Sequence, residues 1–158
     1  MAKATKVNRS AKIMAWKHAK ARMSIDEISD SVQVTITALR SYLNKKFKEE
    51  CLILWSQRDR TGQCAINDSE CSGSTNAHHV LPKGAYPHLC CEDKNRIEIC
   101  ENHHVFHPTM SAHRNMDNFI AMLRLIEWEN IDWYDTHRYD RVGERLDFEE
   151  IYFRLADE

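Results

Sequence analysis

Between Cys64 and His107 the chain crowds together the residue types that bind metal ions and move protons. The order is Cys64-x6-Cys71, then Ala77-His78-His79-Val80-Leu81-Pro82, then Asn95-Arg96-Ile97-Glu98-Ile99-Cys100, then Glu101-Asn102-His103-His104. Thiols and imidazoles clustered this tightly in a chain of cytosolic character point to metal ligation rather than disulfides, because a reducing compartment keeps thiols free. Two pairs, Cys64 with Cys71 and Cys100 with His103 at Cys-x2-His spacing, supply four soft or borderline donors. Such a set suits a closed tetrahedral zinc site, which would staple a domain too small to be held by burial alone. Cys90 and Cys91 compete for the same ion, and His107 follows His103 by four residues, the spacing of one helical face.

A second set is left over: His78, His79, Asn95 and His104. Ala77 to Leu81 reads as a strand, in which neighbours project to opposite faces, so one histidine can hold a metal while the other handles protons. Phosphodiester hydrolysis requires both. The substrate is an anion, so a cation must offset the charge that builds on the phosphorane and the leaving oxygen. A base must also take a proton from water near neutral pH, a task suited to an imidazole with a pKa of about 6.5. Adjacent histidines, or one Cys-x2-His, are each common on surfaces. The ordered series from His78 to His104 carries the reading.

That series resembles the HNH nucleases, the ββα-metal or His-Me finger group, whose core is two strands and a helix around one catalytic metal. The family pattern is Asp or His, then His and a hydrophobic residue, often Pro, then Asn before a short apolar strand, then Cys-x2-Cys-His. Here the matching residues are His78-His79-Val80-x-Pro82, Asn95-x-Ile97-x-Ile99 and Cys100-x2-His103-His104. The resemblance implies that His78 and His104 hold a catalytic divalent metal such as Mg2+ and that His79 is the general base. It implies that Asn95 holds the loop between the strands and orients His79 by hydrogen bonds. Cys64, Cys71, Cys100 and His103 would hold the structural Zn2+. His103 stands where the family usually has Cys, and the first pair is spaced x6 rather than x2. Zinc accepts a Cys3His set, and a longer loop can close on it. The implied reaction cuts DNA to leave a 5'-phosphate and a 3'-hydroxyl. One active core cuts one strand, so double-strand cleavage needs pairing, as in a homodimer, or two encounters. The runner-up is a zinc-stabilised DNA-binding regulator with an inactive HNH core, and an RNA-cutting enzyme ranks third.

At 158 residues and 42% hydrophobic content the chain can form one modest domain or two small ones. Its net charge of −2 hides a polarity: residues 1–48 carry eleven Lys or Arg against three acids, net +8, while residues 111–158 carry six against twelve, net −6. A basic end beside a phosphate-cutting site should meet nucleic acid first. No apolar run approaches the ~20 residues of a membrane span. Met1 to Met23 is basic and free of acids, like a transit peptide, but lacks an apolar stretch for secretion. A helical reading accounts for the same residues better.

Ile13, Trp16 and Met23 fall near helical spacing, with Lys12, Lys17, Lys20 and Arg22 left for solvent or phosphate. Ser24-Ile25-Asp26-Glu27 is a capping box that starts a second helix. Val34-Thr35 reads as a turn and new cap, followed by a third stripe of Leu39, Tyr42 and Leu43. Glu27 to Leu43 resembles the helix-turn-helix of bacterial repressors, with Ile28, Val34 and Leu39 at packing positions and Thr35 capping the recognition helix. Ser29 replaces the usual Ala, and Gln33 the usual Gly. The likeness implies a third helix in the major groove that presents Thr35, Thr37, Arg40, Ser41 and Asn44, with Lys45, Lys46 and Lys48 toward phosphates. An ordinary small helical bundle, or one that binds protein, is the alternative.

Glu49 to Arg60 continues as a helix or linker in which Leu52, Leu54 and Trp55 pack inward. Arg58, Arg60 and Lys83 flank the metal core and would clamp backbone phosphates. Lys83-Gly84-Ala85-Tyr86-Pro87 reads as an irregular loop between the two strands. Asp117 is a candidate cap for a helix with Phe119, Ile120, Leu123 and Ile126 inward, and a short helix is expected from Asp147 to Leu155. This acidic end is expected to pack on the metal core, with a protein-binding or dimer role open to it. The expectation is therefore an α+β protein: a helix-turn-helix-like module at 1–50, a linker helix at 51–60, a small zinc-stapled HNH core at 61–110 and a helical extension at 111–158. It would act on DNA in the cytoplasm of a bacterium or a phage-infected cell, with no membrane contact.

Overall fold

Local capping chemistry sets the first helices. In the computed structural model, which describes residues 1–158, Asn8 caps α1 (Arg9–Lys20) by accepting the Ala11 amide at 2.9 Å. Ser24 caps α2 (Ile25–Val32) by accepting the Glu27 amide at 3.2 Å, as the capping box requires. Gln33 then turns the chain in the left-handed region at φ 54°, where the repressor motif would place Gly. Ser29 is fully buried, and its hydroxyl donates to the Val34 carbonyl at 2.6 Å, so it ties the turn that a small residue merely permits. α3 (Ile36–Gln57) follows without interruption, because no Gly or Pro falls within its 22 residues. The stretch expected as a separate linker helix at 51–60 is largely the end of α3.

The chain divides into two units, residues 1–51 with 147–158, and residues 52–146. In the first, Ala15 and Ala19 of α1 meet Ile28, Val34, Leu39, Leu43 and Phe47. Ile13, expected on the inward stripe, is 63% exposed, because the buried face of α1 is the alanine face. The final helix, α6 (Phe148–Ala156), is capped by the Asp147 carboxylate accepting the Glu150 amide. Its Tyr152 ring lies 5.3 Å from Trp16 and 5.5 Å from Phe47. The expectation that the whole acidic end packs on the metal core is corrected here: the aromatic face of α6 finds its partners in the N-terminal unit.

In the second unit, β1 (Thr75–His79) and β2 (Arg96–Cys100) form a two-stranded antiparallel sheet, with His78 opposite Ile97 and His79 opposite Arg96. Two strands alone are marginal in water. Ile97 and Ile99 are therefore buried on one face against Phe119, Ile120 and Leu123 of α4 (Met116–Leu125), with Tyr134 of α5 (Ile131–His137) in the same core. Asp117 lies inside the first turn of α4; the cap position is Asn115. The segment between the strands is irregular, as expected, apart from single 3-10 turns at Pro87–Leu89 and Asp93–Asn95. The molecule is mixed α+β, and no helix is long and apolar enough to cross a membrane.

Glu98 lies between Ile97 and Ile99 on the other face of β2 and gathers the preceding loop. Its carboxylate accepts the Thr61 and Gly62 amides at 2.8 and 2.9 Å and the Thr75 hydroxyl at 2.5 Å, and pairs with Arg60 Nε at 3.2 Å. Arg60, expected to clamp phosphate, is thus committed within the fold, with a further bond to the Thr75 carbonyl at 2.6 Å. Burial alone would raise the Glu98 carboxyl, but the hydroxyl, amide and guanidinium donors bring it from 4.5 down to about 2. A depressed folded value means stability that is present above about pH 4.5 and lost as pH falls toward 2. Glu98→Gln should cost about 2 kcal/mol at neutral pH, and urea melts at falling pH should show that difference vanish between pH 4.5 and 2.

Candidate metal centres

Four elements converge on one set of donors. Cys64 ends the loop that Glu98 anchors, Cys71 follows a turn in which Asp68 Oδ1 accepts the Glu70 amide at 2.9 Å, and Cys100 closes β2. His103 stands on a π-helical turn, Asn102–Phe106, closed by the His107 amide donating to the Asn102 carbonyl at 2.7 Å. His103 Nδ1 lies 3.1 Å from Cys100 Sγ and 3.6 Å from both Cys64 Sγ and Cys71 Sγ. All four donor atoms fall within 4.8 Å of one another, so the set could hold a metal ion. A tetrahedral cage with bonds of about 2.0 to 2.3 Å has edges of roughly 3.5 Å, close to these separations. Gly73 permits the approach: its φ is +81°, and a Cβ there would fall 2.6 Å from the Glu101 carboxylate.

Three thiols this close resist ionising together. Burial pushes the Cys71 thiol up to about 12. Burial also raises Cys100, but hydrogen bonds from the His103 and Ser72 backbone outweigh it and bring that thiol to about 7. A cation among them would favour all three thiolates. Cys90 and Cys91, the competing thiols, lie outside the set, with their sulfurs 3.8 Å apart.

Glu70, His103 and His107 also converge, yet their hydrogen bonding argues against a second ion there. His107 Nδ1 accepts the Thr109 and Met110 amides at 3.2 and 3.0 Å. The ring proton must then sit on Nε2, where it is donated to Glu70. His103 directs Nδ1 at the sulfurs and Nε2 toward Asp68 Oδ1 at 3.3 Å. Each neutral ring has a single lone pair, and both are already committed. Glu70 and His107 therefore brace the turn that carries His103, Glu70 also accepting the Asn102 side-chain amide at its carbonyl.

The second candidate centre contains a ligand that sequence spacing missed. His78 and His104 meet, as expected, but His113 joins them. The Nε2 atoms of His104 and His113 are 2.8 Å apart, and the His78 ring lies edge-on to both at 5.0 and 4.8 Å. His78 Nε2 is buried with no hydrogen-bond partner. Burial, with the neighbouring imidazoles, pushes His78 down to about 3, and burial lowers His104 as well, so both rings stay neutral. An orphaned buried nitrogen beside two further imidazoles is what a metal ligand set requires. His113 follows Pro108 and a turn, and the His113 amide bonds back to the His104 carbonyl at 3.1 Å. No motif spacing encodes that return; only the surplus of histidines hinted at it.

His79 lies on the opposite face of β1. Its Nε2 is 2.8 Å from the Cys90 carbonyl, which can only accept, so the ring proton is on Nε2 and Nδ1 carries the lone pair. Burial lowers its pKa, the Cys90 carbonyl partly restores it, and Lys83 lowers it further. Asn95 is fully buried and pins the inter-strand loop as expected: its Oδ1 accepts the Leu81 amide at 2.7 Å, while Nδ2 donates to the Leu81 and Leu89 carbonyls at 3.0 and 3.1 Å. The expectation that Asn95 itself bonds His79 is corrected, since the Cys90 carbonyl does so.

Among the residues expected at DNA, Thr37, Arg40, Ser41, Asn44 and Lys45 are exposed along α3. Thr35 is half-buried, its hydroxyl within 3.4 Å of the Ala38 amide as a cap. Lys46 is paired with Glu50 at 3.0 Å and lies over the Trp16 ring. Lys83 is exposed in its turn, while Arg58 is 3.9 Å from Asp93.

Titration of the full chain with Co2+ should produce thiolate-to-metal charge-transfer absorption. Cys100→Ser should weaken binding of that probe at least tenfold and shift the band, whereas Cys51→Ser, outside the set, should leave it unchanged. No protein-family model, curated protein or solved structure matches the chain.

Proposed function

We propose that the chain is a metal-dependent endonuclease of the HNH type that hydrolyses DNA phosphodiester bonds. One observation carries this reading: the buried His78 on one face of β1 meets the half-buried His104 and the exposed His113, while a differently held imidazole, His79, lies on the other face. A pure binding module has no use for that division, whereas hydrolysis needs a cation and a base as separate groups. Thus the inactive regulator is the weaker reading. The helical part of the core is the short π turn Asn102–Phe106, shorter than the helix that the family resemblance implies.

Cys64, Cys71, Cys100 and His103 would hold a structural Zn2+, since a closed Cys3His set matches its preferred donors. His78, His104 and His113 would hold the catalytic ion. Three imidazoles without a carboxylate suit Zn2+ or Ni2+ better than the Mg2+ expected from the resemblance, because Mg2+ prefers oxygen donors. When bound, that ion would offset charge on the phosphoryl and leaving oxygens. His79 accepts the proton of the attacking water at Nδ1. The Cys90 carbonyl at Nε2 fixes the tautomer and stabilises the imidazolium that forms.

The α2–turn–α3 segment is read as the helix-turn-helix-like part, with the exposed residues Thr37, Arg40, Ser41 and Asn44 toward base edges and Lys45 toward phosphate. Thr35 would act through its cap rather than at DNA.

Supercoiled plasmid should be nicked or linearised with Zn2+ or Ni2+ and not with EDTA. His79→Ala should lower the rate by roughly 10²- to 10⁴-fold while metal binding persists. His113→Ala should lose both metal affinity and cleavage, and an inert wild type with every metal would overturn the reading. In filter binding, Arg40→Ala with Lys45→Ala should weaken DNA affinity and reduce the salt slope by roughly one per lost phosphate contact; an unchanged slope would remove α3 from the interface.

A further inference from the structure

We propose that Trp55 is a positioning residue for His79, holding the imidazole plane in the orientation the base requires. This rests on the nuclease reading above. The indole and imidazole rings lie 3.9 Å apart at an interplanar angle of 8°, a face-to-face stack. Trp55 is only 2% exposed, and polar contacts fix it in place. The indole Nε1 donates to the Glu92 carbonyl at 2.8 Å, Arg96 Nη1 donates to the Trp55 carbonyl at 2.8 Å, and the Arg96 guanidinium lies 5.7 Å from the ring. The buried indole presents to His79 a flat wall fixed by its own hydrogen bond.

Two constraints define the base. The Cys90 carbonyl sets which nitrogen carries the proton, and so the in-plane direction of the ring. That bond alone leaves the ring able to tilt about the Nε2 contact. The indole face removes the tilt, so Nδ1 keeps a single direction. Orientation errors of this kind lower the rate of the chemical step more than substrate binding, because the misplaced group acts only in the transition state. Trp55 touches no reacting atom in this scheme and acts through His79 alone.

The test uses the full metal-loaded chain as wild type, Trp55→Leu and Trp55→Phe, with plasmid cleavage kinetics and long-range 1H–15N spectra of the histidine rings. The His79 signals are identified by their loss in His79→Ala. In wild type they should be shifted upfield by the indole ring current and show one tautomer, protonated at Nε2. Trp55→Leu should lose the upfield shift and lower kcat by roughly 10- to 100-fold with KM little changed, while the Nε2 tautomer held by the Cys90 carbonyl persists. Trp55→Phe, which keeps a flat face, should restore the shift and most of kcat. If Trp55→Leu fails to fold, Trp55→Phe decides: full kcat with the upfield shift lost overturns the proposal. Unchanged His79 signals or unchanged kcat in a folded Trp55→Leu also overturns it, as does a rise in KM at constant kcat. Should wild type cut no DNA with any metal, the nuclease reading fails, and the ring spectra alone decide whether Trp55 orients His79.

Discussion

Three sulfur atoms and one imidazole nitrogen crowded within 4.8 Å form a donor cage in the second unit that could hold a metal ion. The segment from Arg60 to Ser74 is irregular, that from Glu101 to Asn115 carries one π-helical turn, and the sheet between them has two short strands. Such segments have little to hold them beyond side chains. The Glu98 carboxylate fixes one loop to β2, the Glu70–His107 bond fixes the other, and both deliver their cysteines or histidine to the same small volume. Apolar burial of Ile97, Ile99 and Phe119 supports the sheet from one face only. A cation in the cage would offset the cost of gathering thiolates, which makes the cage the natural tether of this half of the chain.

Alternation along β1 then separates two kinds of chemistry. Consecutive side chains of a strand leave on opposite faces, so His78 and His79 occupy unlike surroundings although they are neighbours. His78 is packed against Phe119 and two other imidazoles, and stays neutral. His79 meets an indole face and a backbone carbonyl, and the carbonyl selects a single tautomer. Asn95 makes both possible at one remove: its three buried hydrogen bonds fold the inter-strand segment back onto Leu81 and bring the Cys90 carbonyl into reach. Replacing such a residue would leave several backbone groups without partners, so its role is structural as much as functional.

The first unit rests on a different kind of constraint. Its helices are short or basic and carry small residues at their contacts, with Ala15, Ala19 and Ser29 buried where larger side chains would hold the backbones apart. The aromatic rings of Trp16, Phe47 and Tyr152 supply the apolar area that these small residues lack. Exposed polar and basic residues of α3 are left outside this packing, which is why the helix has a face free for a ligand.

The sequence by itself determined what local rules can encode. The cap at Ser24, the short helix after Asp147, the strand positions of the histidines, the alternation of Ile97 and Ile99, and the four-residue donor set of Cys64, Cys71, Cys100 and His103 were all legible, because residue type and short spacing fix them. Tertiary structure decided the rest. His113 reaches His78 through a turn whose length no spacing rule constrains, and Arg60 is drawn from phosphate to Glu98 by a partner 38 residues away. Trp55 meets His79, and α6 joins α1 and α3, for the same reason. These contacts depend on which surfaces meet when separate segments pack, and that is settled by shape and burial across the whole fold rather than by any neighbourhood of the chain.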